Sequence, residues 1–220
     1  MWTKICGIRD VPTAKLAAQL GAQAIGLNFF ARSPRCVDVE TAADIVRQVP
    51  AGVEPVGLFV NHSVAEIEAI ADRCGLRTIQ LHGDEPPEML AELQRFRIIR
   101  AFRVGQEGLA DGSTYLQACR RLNALPWACL IDARVAGAYG GTGHMAPWDV
   151  VRDGYLRGEW PQLILAGGLN PDNVADAIRT VQPWGVDVAG GVESSVACKD
   201  AALMRDFIQR ASAVTMEDGR

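Results

Sequence analysis

The stretch Pro55-Val56-Gly57-Leu58-Phe59-Val60 is apolar at every position, and Ser63-Val64-Ala65-Glu66-Ile67-Glu68-Ala69-Ile70-Ala71-Asp72-Arg73-Cys74 follows it after two residues. A continuous apolar run suits a parallel strand that is buried on both faces. The second stretch changes period: Ile67, Ile70, Ala71 and Cys74 return to one side of a helix. Ser63 with Glu66 three residues on reads as a capping box, which marks the helix start. The pair is one strand–helix unit, a strand over 55–60 and a helix over 63–73.

The same alternation extends in both directions. Strands are expected near 2–6, 24–28, 55–60, 77–81, 97–101, 127–131, 162–166 and 185–188. Helices are expected near 11–20, 40–48, 63–73, 86–95, 109–122, 147–157, 171–180 and 199–211. Ile45, Val46 and Val49 share a face of the second helix, and Asn170-Pro171 supplies an N-cap and an N1 proline for the seventh. Strict alternation calls for a parallel sheet, and eight units can close into a barrel. An open doubly wound sheet more often has about five to seven strands and a phosphate loop after the first. Here Gly7-Ile8-Arg9-Asp10 follows the first strand, with one glycine. The expected fold is α/β, a single-domain (βα)8 TIM barrel over residues 1–211, with a polar, frayed tail at 212–220. No composition shift or Pro/Gly/Ser-rich linker divides the chain.

Composition sets outer limits. With 220 residues, 49% hydrophobic and 22% charged, the chain is neither disordered, collagen-like nor a coiled coil. A formal net charge of -4 leaves no basic surplus to neutralise a nucleic-acid backbone, so no nucleic-acid partner is expected. No apolar run approaches the ~18 residues of a membrane span. Lys4, Arg9 and Asp10 interrupt any signal-peptide core, so the expectation is a cytoplasmic chain that begins at residue 1 and has no membrane partner. The six cysteines (Cys6, Cys36, Cys74, Cys119, Cys129 and Cys198) form no C-x-x-C pair, which argues for free thiols and against a zinc or redox motif.

The barrel rule then locates the chemistry. Active sites lie at the C-terminal ends of the strands, and phosphate usually sits on the loops after strands 7 and 8. Those loops read Leu165-Ala166-Gly167-Gly168-Leu169 and Asp187-Val188-Ala189-Gly190-Gly191-Val192-Glu193. Glycine lets backbone N–H groups approach an anion, so Gly167, Gly168, Gly190 and Gly191 are the candidate phosphate ligands, with plain turns as the other explanation. Gly140-Gly141-Thr142-Gly143, with Ala146, matches a dinucleotide fingerprint but follows no strand directly, and a mobile active-site loop fits better. No Gly-Lys pair occurs, which excludes a P-loop. Cys6 closes the first strand, Gln80 and His82 the fourth, and Asp132 the sixth, while Asp187 stands in the eighth. Each alone has a structural explanation as a core, capping or hydrogen-bonding residue. Together, a thiol and a carboxyl facing each other across the mouth form a base–acid pair able to move a proton on a phosphosugar. Lys4, two residues before Cys6 on the same strand face, is placed to favour the thiolate, or else to pair with a carboxylate.

The motifs Lys4-Ile5-Cys6-Gly7-Ile8, Ser33-Pro34-Arg35, Gly57-Leu58-Phe59-Val60-Asn61, Gln80-Leu81-His82-Gly83, Asp132 with Gly140–Gly143, Ala166–Asn170 and Asp187–Glu193 with Lys199-Asp200 occur in an order and spacing that resembles the phosphoribosylanthranilate isomerase family of tryptophan biosynthesis. The resemblance spans roughly residues 3–210. It implies a (βα)8 barrel and an Amadori rearrangement of N-(5-phosphoribosyl)anthranilate with no metal and no organic cofactor. By the same resemblance Cys6 is the general base, Asp132 the general acid, Arg35 the clamp for the anthranilate carboxylate and Asp187 a further substrate contact. It leaves monomer or homodimer open. Three departures stand out: Ala189-Gly190 where serines are usual, Ala146-Pro147-Trp148 where Phe-Asp-Trp is common, and Cys36 where an aromatic residue often follows Arg35. Two alternatives are a histidine-pathway-type phosphoribosyl isomerase and a non-catalytic phosphosugar-binding barrel. The first would carry an aspartate base on strand 1 and a second glycine-rich phosphate site in the first half. The second would have no reason to keep both Cys6 and Asp132.

Overall fold

A computed structural model describes residues 1–133 and 147–214. Eight parallel strands close in sequence order: β1 (Trp2–Cys6), β2 (Ala24–Asn28), β3 (Glu54–Phe59), β4 (Thr78–Leu81), β5 (Arg97–Val104), β6 (Ala128–Ala133), β7 (Gln162–Leu165) and β8 (Gly185–Val188). β8 pairs back onto β1 with Asp187 level with Lys4, which leaves the barrel no open edge. Helices α1 (Val11–Gln19), α2 (Val39–Gln48), α3 (Val64–Cys74), α4 (Pro87–Glu92), α5 (Ala110–Arg121), α6 (Trp148–Gly154), α7 (Val174–Val181) and α8 (Ala201–Ala213) follow the strands one for one. This is the (βα)8 barrel expected from the sequence. No helix among the described residues is long and apolar enough to cross a membrane.

The period of two along each strand divides its side chains between two cores. Ile5, Phe59, Ile79, Cys129, Ile131, Leu165 and Val186 face outward and pack beneath the helices. Ala24, Val56, Ile99, Ala101, Ala128, Leu130, Ile164 and Ala166 fill the barrel itself. Trp2, Trp127 and Trp184 close its lower end, with Trp2 and Trp184 stacked at 5.1 Å between ring centroids. Stepping upward by two from this layer gives Lys4 and Cys6 on β1, and Asp132 above Leu130 on β6. The inward positions therefore change from apolar to polar toward the C-terminal rim, and that change makes the site.

Local signals fix most boundaries. The Ser63 capping box forms: Ser63 N donates to Glu66 Oε2 at 2.8 Å, and Glu66 N donates to Ser63 Oγ at 3.3 Å. Other boundaries differ from expectation. α4 ends at Glu92, short of 95, and β5 continues to Val104, beyond 101. α7 begins at Val174 rather than at 171, because Asn170 Oδ1 accepts from Asp172 N at 2.8 Å and Asn173 N at 3.2 Å and so caps a tight turn ahead of the helix. α8 runs to Ala213, two residues past the expected domain edge at 211. A short ribbon of β9 (Glu193–Ser195) and β10 (Cys198–Lys199) was not foreseen. The Gly140–Gly143 loop and residues 215–220 of the expected tail lie outside the described residues.

Candidate active site

A cleft opens at the C-terminal rim, and Cys6, Arg35, Asp132, Asp187, Gly167, Gly168, Gly190 and Gly191 all line it. Every expected site residue therefore meets at one place, although the set comes from five separate segments of chain.

Cys6 ends β1 with 6% exposure. Gly26, its partner on β2, makes room for it: a Cβ there would stand 2.6 Å from Cys6 Sγ. Beneath the thiol lies Lys4, fully buried, whose Nζ donates to Asp187 Oδ1 at 2.8 Å. Burial pushes the Cys6 thiol up, Lys4 pulls it down, and Asp187 adds to the upward shift; the net direction is up. Burial by itself would lower Lys4, but Asp187 and Cys6 outweigh it and hold the ammonium above its ordinary value. The two roles weighed for Lys4 thus coexist. Its attraction for a thiolate is present, its carboxylate partner is Asp187, and burial shifts the balance at Cys6 toward the thiol.

Asp132 ends the inward face of β6 with 6% exposure. His82, just beyond β4 and equally enclosed, presents Nε2 at 3.3 Å from Asp132 Oδ2, a close electrostatic contact without hydrogen-bond alignment. Gln80 Nε2 lies 2.8 Å from His82 Nδ1; with the amide as donor, the ring proton rests on Nε2, facing the carboxyl. Glu85 and Arg100 hold the turn that carries His82. Arg100 Nη1 donates to Leu81 O at 3.0 Å and to Glu85 Oε2 at 3.0 Å, and Gly83 N donates to Glu85 Oε2 at 2.9 Å.

The glycine pairs stand on the loops after β7 and β8, on the same rim as this acid. Gly167 and Gly168 take left-handed φ values of 80° and 66°, which favour glycine. Gly191 is packed so closely on the loop after β7 that a Cβ would lie 1.9 Å from Leu169 O. At this point the two loops meet backbone to backbone.

Arg35 reaches the same cleft, but its guanidinium is already engaged. Nε and Nη2 donate to Glu193 Oε1 and Oε2 at 2.8 and 2.7 Å. Glu193 also accepts from Lys199 Nζ at 2.7 Å, which in turn donates to Ala189 O at 2.9 Å. Sequence reasoning placed Glu193 and Lys199 inside motifs without giving either a task. Their pairing depends on the β9–β10 ribbon, where they stand directly opposite each other.

A closed parallel barrel with a thiol, a carboxyl and an arginine at its mouth, beside glycine pairs on the loops after strands 7 and 8, defines a TIM-barrel enzyme of the phosphosugar-isomerase class. The family model described as N-(5'-phosphoribosyl)anthranilate (PRA) isomerase matches residues 3–210, and the chain belongs to this family. It is 44% identical over 210 residues to N-(5'-phosphoribosyl)anthranilate isomerase of Geobacter metallireducens, covering 96% of this chain and 98% of that one. Among solved structures, phosphoribosyl anthranilate isomerase from Thermotoga maritima superposes with a TM-score of 0.84 at 32% identity, covering 97% of this chain and 100% of that one. A structure of the same enzyme type in complex with reduced 1-(o-carboxyphenylamino)-1-deoxyribulose 5-phosphate gives a TM-score of 0.81 at 32% identity, with coverage of 97% and 100%.

Proposed function

We propose that Cys6 and Asp132 are the general base and general acid of an Amadori rearrangement in this cleft. The chain is an isomerase of tryptophan biosynthesis: it converts N-(5-phosphoribosyl)anthranilate to 1-(2-carboxyphenylamino)-1-deoxyribulose 5-phosphate. The glycine pairs take the phosphate, Arg35 the anthranilate carboxylate, and Asp187 faces the sugar. Asp132 protonates the furanose ring oxygen, the ring opens, and the amine nitrogen's lone pair forms the C1′=N bond of a cationic Schiff base. Cys6 as thiolate removes the C2′ proton to give an enolamine. Loss of the C2′ hydroxyl proton and protonation at C1′ give the ketone. Such an enzyme works in the cytoplasm, where thiols stay reduced, and all six cysteines are free.

Proton inventory makes the pair workable. A thiol with a carboxylate holds one proton, the same number as a thiolate with a carboxylic acid. Moving it between groups of ordinary pKa, about 8.5 and 3.9, costs roughly 6 kcal/mol. The Lys4 ammonium and the Schiff-base cation both favour the thiolate.

The observation that carries this reading is the convergence of Cys6 and Asp132 on one cleft with both glycine pairs. Anthranilate-bearing substrate and product differ in fluorescence, so turnover of the purified protein is directly measurable. Cys6→Ala and Asp132→Ala are each expected to lower kcat at least ~100-fold, with much smaller changes in substrate binding. Full activity in Cys6→Ala would overturn the mechanism.

A further inference from the structure

Glu193 holds Arg35 more firmly than a passing surface ion pair would. The two side chains are 12% and 4% exposed, and the contact is two-pronged. Lys199, 2% exposed, binds the same carboxylate, and Ala197 N donates to it at 3.1 Å. These cations pull the Glu193 carboxyl down to about 2 against the opposing effect of burial. If Glu193 swung away, Lys199 would lose its buried counter-ion, which is a costly change. Arg35 is confined as well. A Cβ on Gly7 would come within 2.7 Å of its Cδ, and one on Gly190 within 3.2 Å of Nη2.

A guanidinium carries five N–H groups on a rigid plane. Glu193 takes one from Nε and one from Nη2. Both protons of Nη1 and the second proton of Nη2 remain, and they form another two-pronged edge at a fixed angle to the first. Nη2 lies against Gly190, on the rim of the cleft. A carboxylate arriving there meets a fork whose direction is already set, so little side-chain freedom is lost on binding.

We propose that Glu193 is a positioning residue, which presets the free edge of Arg35 and thereby sets the preference for a substrate whose aryl amine bears a carboxylate. The proposal rests on the reading of Arg35 as the carboxylate clamp. The opposite role, a carboxylate competing with substrate for the same guanidinium, predicts the reverse result.

The test compares affinities for reduced 1-(o-carboxyphenylamino)-1-deoxyribulose 5-phosphate and its anilino counterpart without the carboxyl group. Taking the ratio cancels any uniform effect of charge on phosphate binding. Arg35→Ala should collapse the ratio toward unity; an unchanged ratio removes the clamp and this proposal with it. With the clamp established, Glu193→Gln should cut the ratio roughly tenfold, the scale of one charge-assisted contact. KM should rise more than kcat falls. Glu193→Asp keeps the charge but is one methylene too short for both prongs, and it should move the ratio the same way. It carries the test if the Gln variant fails to fold. An unchanged ratio in a folded variant would leave Glu193 a purely structural residue, and a raised ratio would make it a competitor. Either result overturns the proposal while sparing Arg35.

Discussion

At Cys6 two effects contend for one proton: burial favours the thiol, and the Lys4 ammonium favours the thiolate. The direction at equilibrium is upward, so alkylation of Cys6 should titrate above an ordinary cysteine when followed against pH in a variant lacking the other five. Lys4→Met should move that titration further up, because it leaves only the more distant Lys199 ammonium to oppose burial and Asp187. A titration that stays put would eliminate Lys4 as the tuner. The relation between Lys4 and Cys6 was readable in the sequence, since a period of two puts them on one strand face. The Asp187 partner was not. It lies 183 positions away and becomes adjacent only through the register in which β8 closes on β1. Asp187 was legible as a site residue but not as the buried counter-ion that keeps Lys4 charged.

Among the elements, the loops after β7 and β8 show how one sequence pattern serves two physical purposes. Both glycine pairs were recognisable from their place at strand ends, yet the four glycines are not equivalent. Gly168 is required by its φ of 66°, and Gly191 by the 1.9 Å approach of Leu169 O. Gly168→Val should therefore lose substrate affinity, at a cost to folding of about 1–3 kcal/mol from backbone strain. Gly191→Ala should instead force the two loops apart, lowering the melting temperature as well as phosphate affinity. Thermal melts beside KM measurements separate the two; a near-normal KM in folded Gly168→Val would remove the phosphate assignment. Two features escaped sequence reading, each for its own reason. The β9–β10 ribbon has strands of three and two residues, too short to show any period. The start of α7 was misplaced because Asn170 caps a turn with the same side-chain geometry it would use to cap a helix.

For the whole molecule, the eightfold alternation of apolar runs and helical faces pointed to the barrel, because eight parallel units with no phosphate loop after the first fit a closed sheet better than an open doubly wound one. Burial of titratable groups across that barrel also shapes its stability against pH. Glu193 falls from an ordinary 4.5 to about 2, so its ion pairs stabilise the fold above pH ~4.5 and lose that contribution as pH falls toward 2. The alkaline side has the opposite logic. Cys129, fully buried between barrel and helices, is pushed from 9.0 to about 12 chiefly by burial. Below pH 9 folded and unfolded chains both carry its proton, and stability is unaffected. Between 9 and 12 the unfolded chain releases the proton while the folded one retains it, so stability falls as pH rises. At pH 10 this one thiol should account for roughly 1.4 kcal/mol of lost stability. Cys129→Ala tests it cleanly. The cavity it leaves lowers stability by the same amount at every pH, whereas the thiol's ionisation vanishes from the unfolded state. Urea unfolding at pH 7 and pH 10 should therefore show a smaller alkaline loss in Cys129→Ala than in the parent chain, by about that 1.4 kcal/mol. Equal losses in the two proteins would mean that Cys129 ionises alike in folded and unfolded states, and that the barrel wall is wetter at this position than its burial implies.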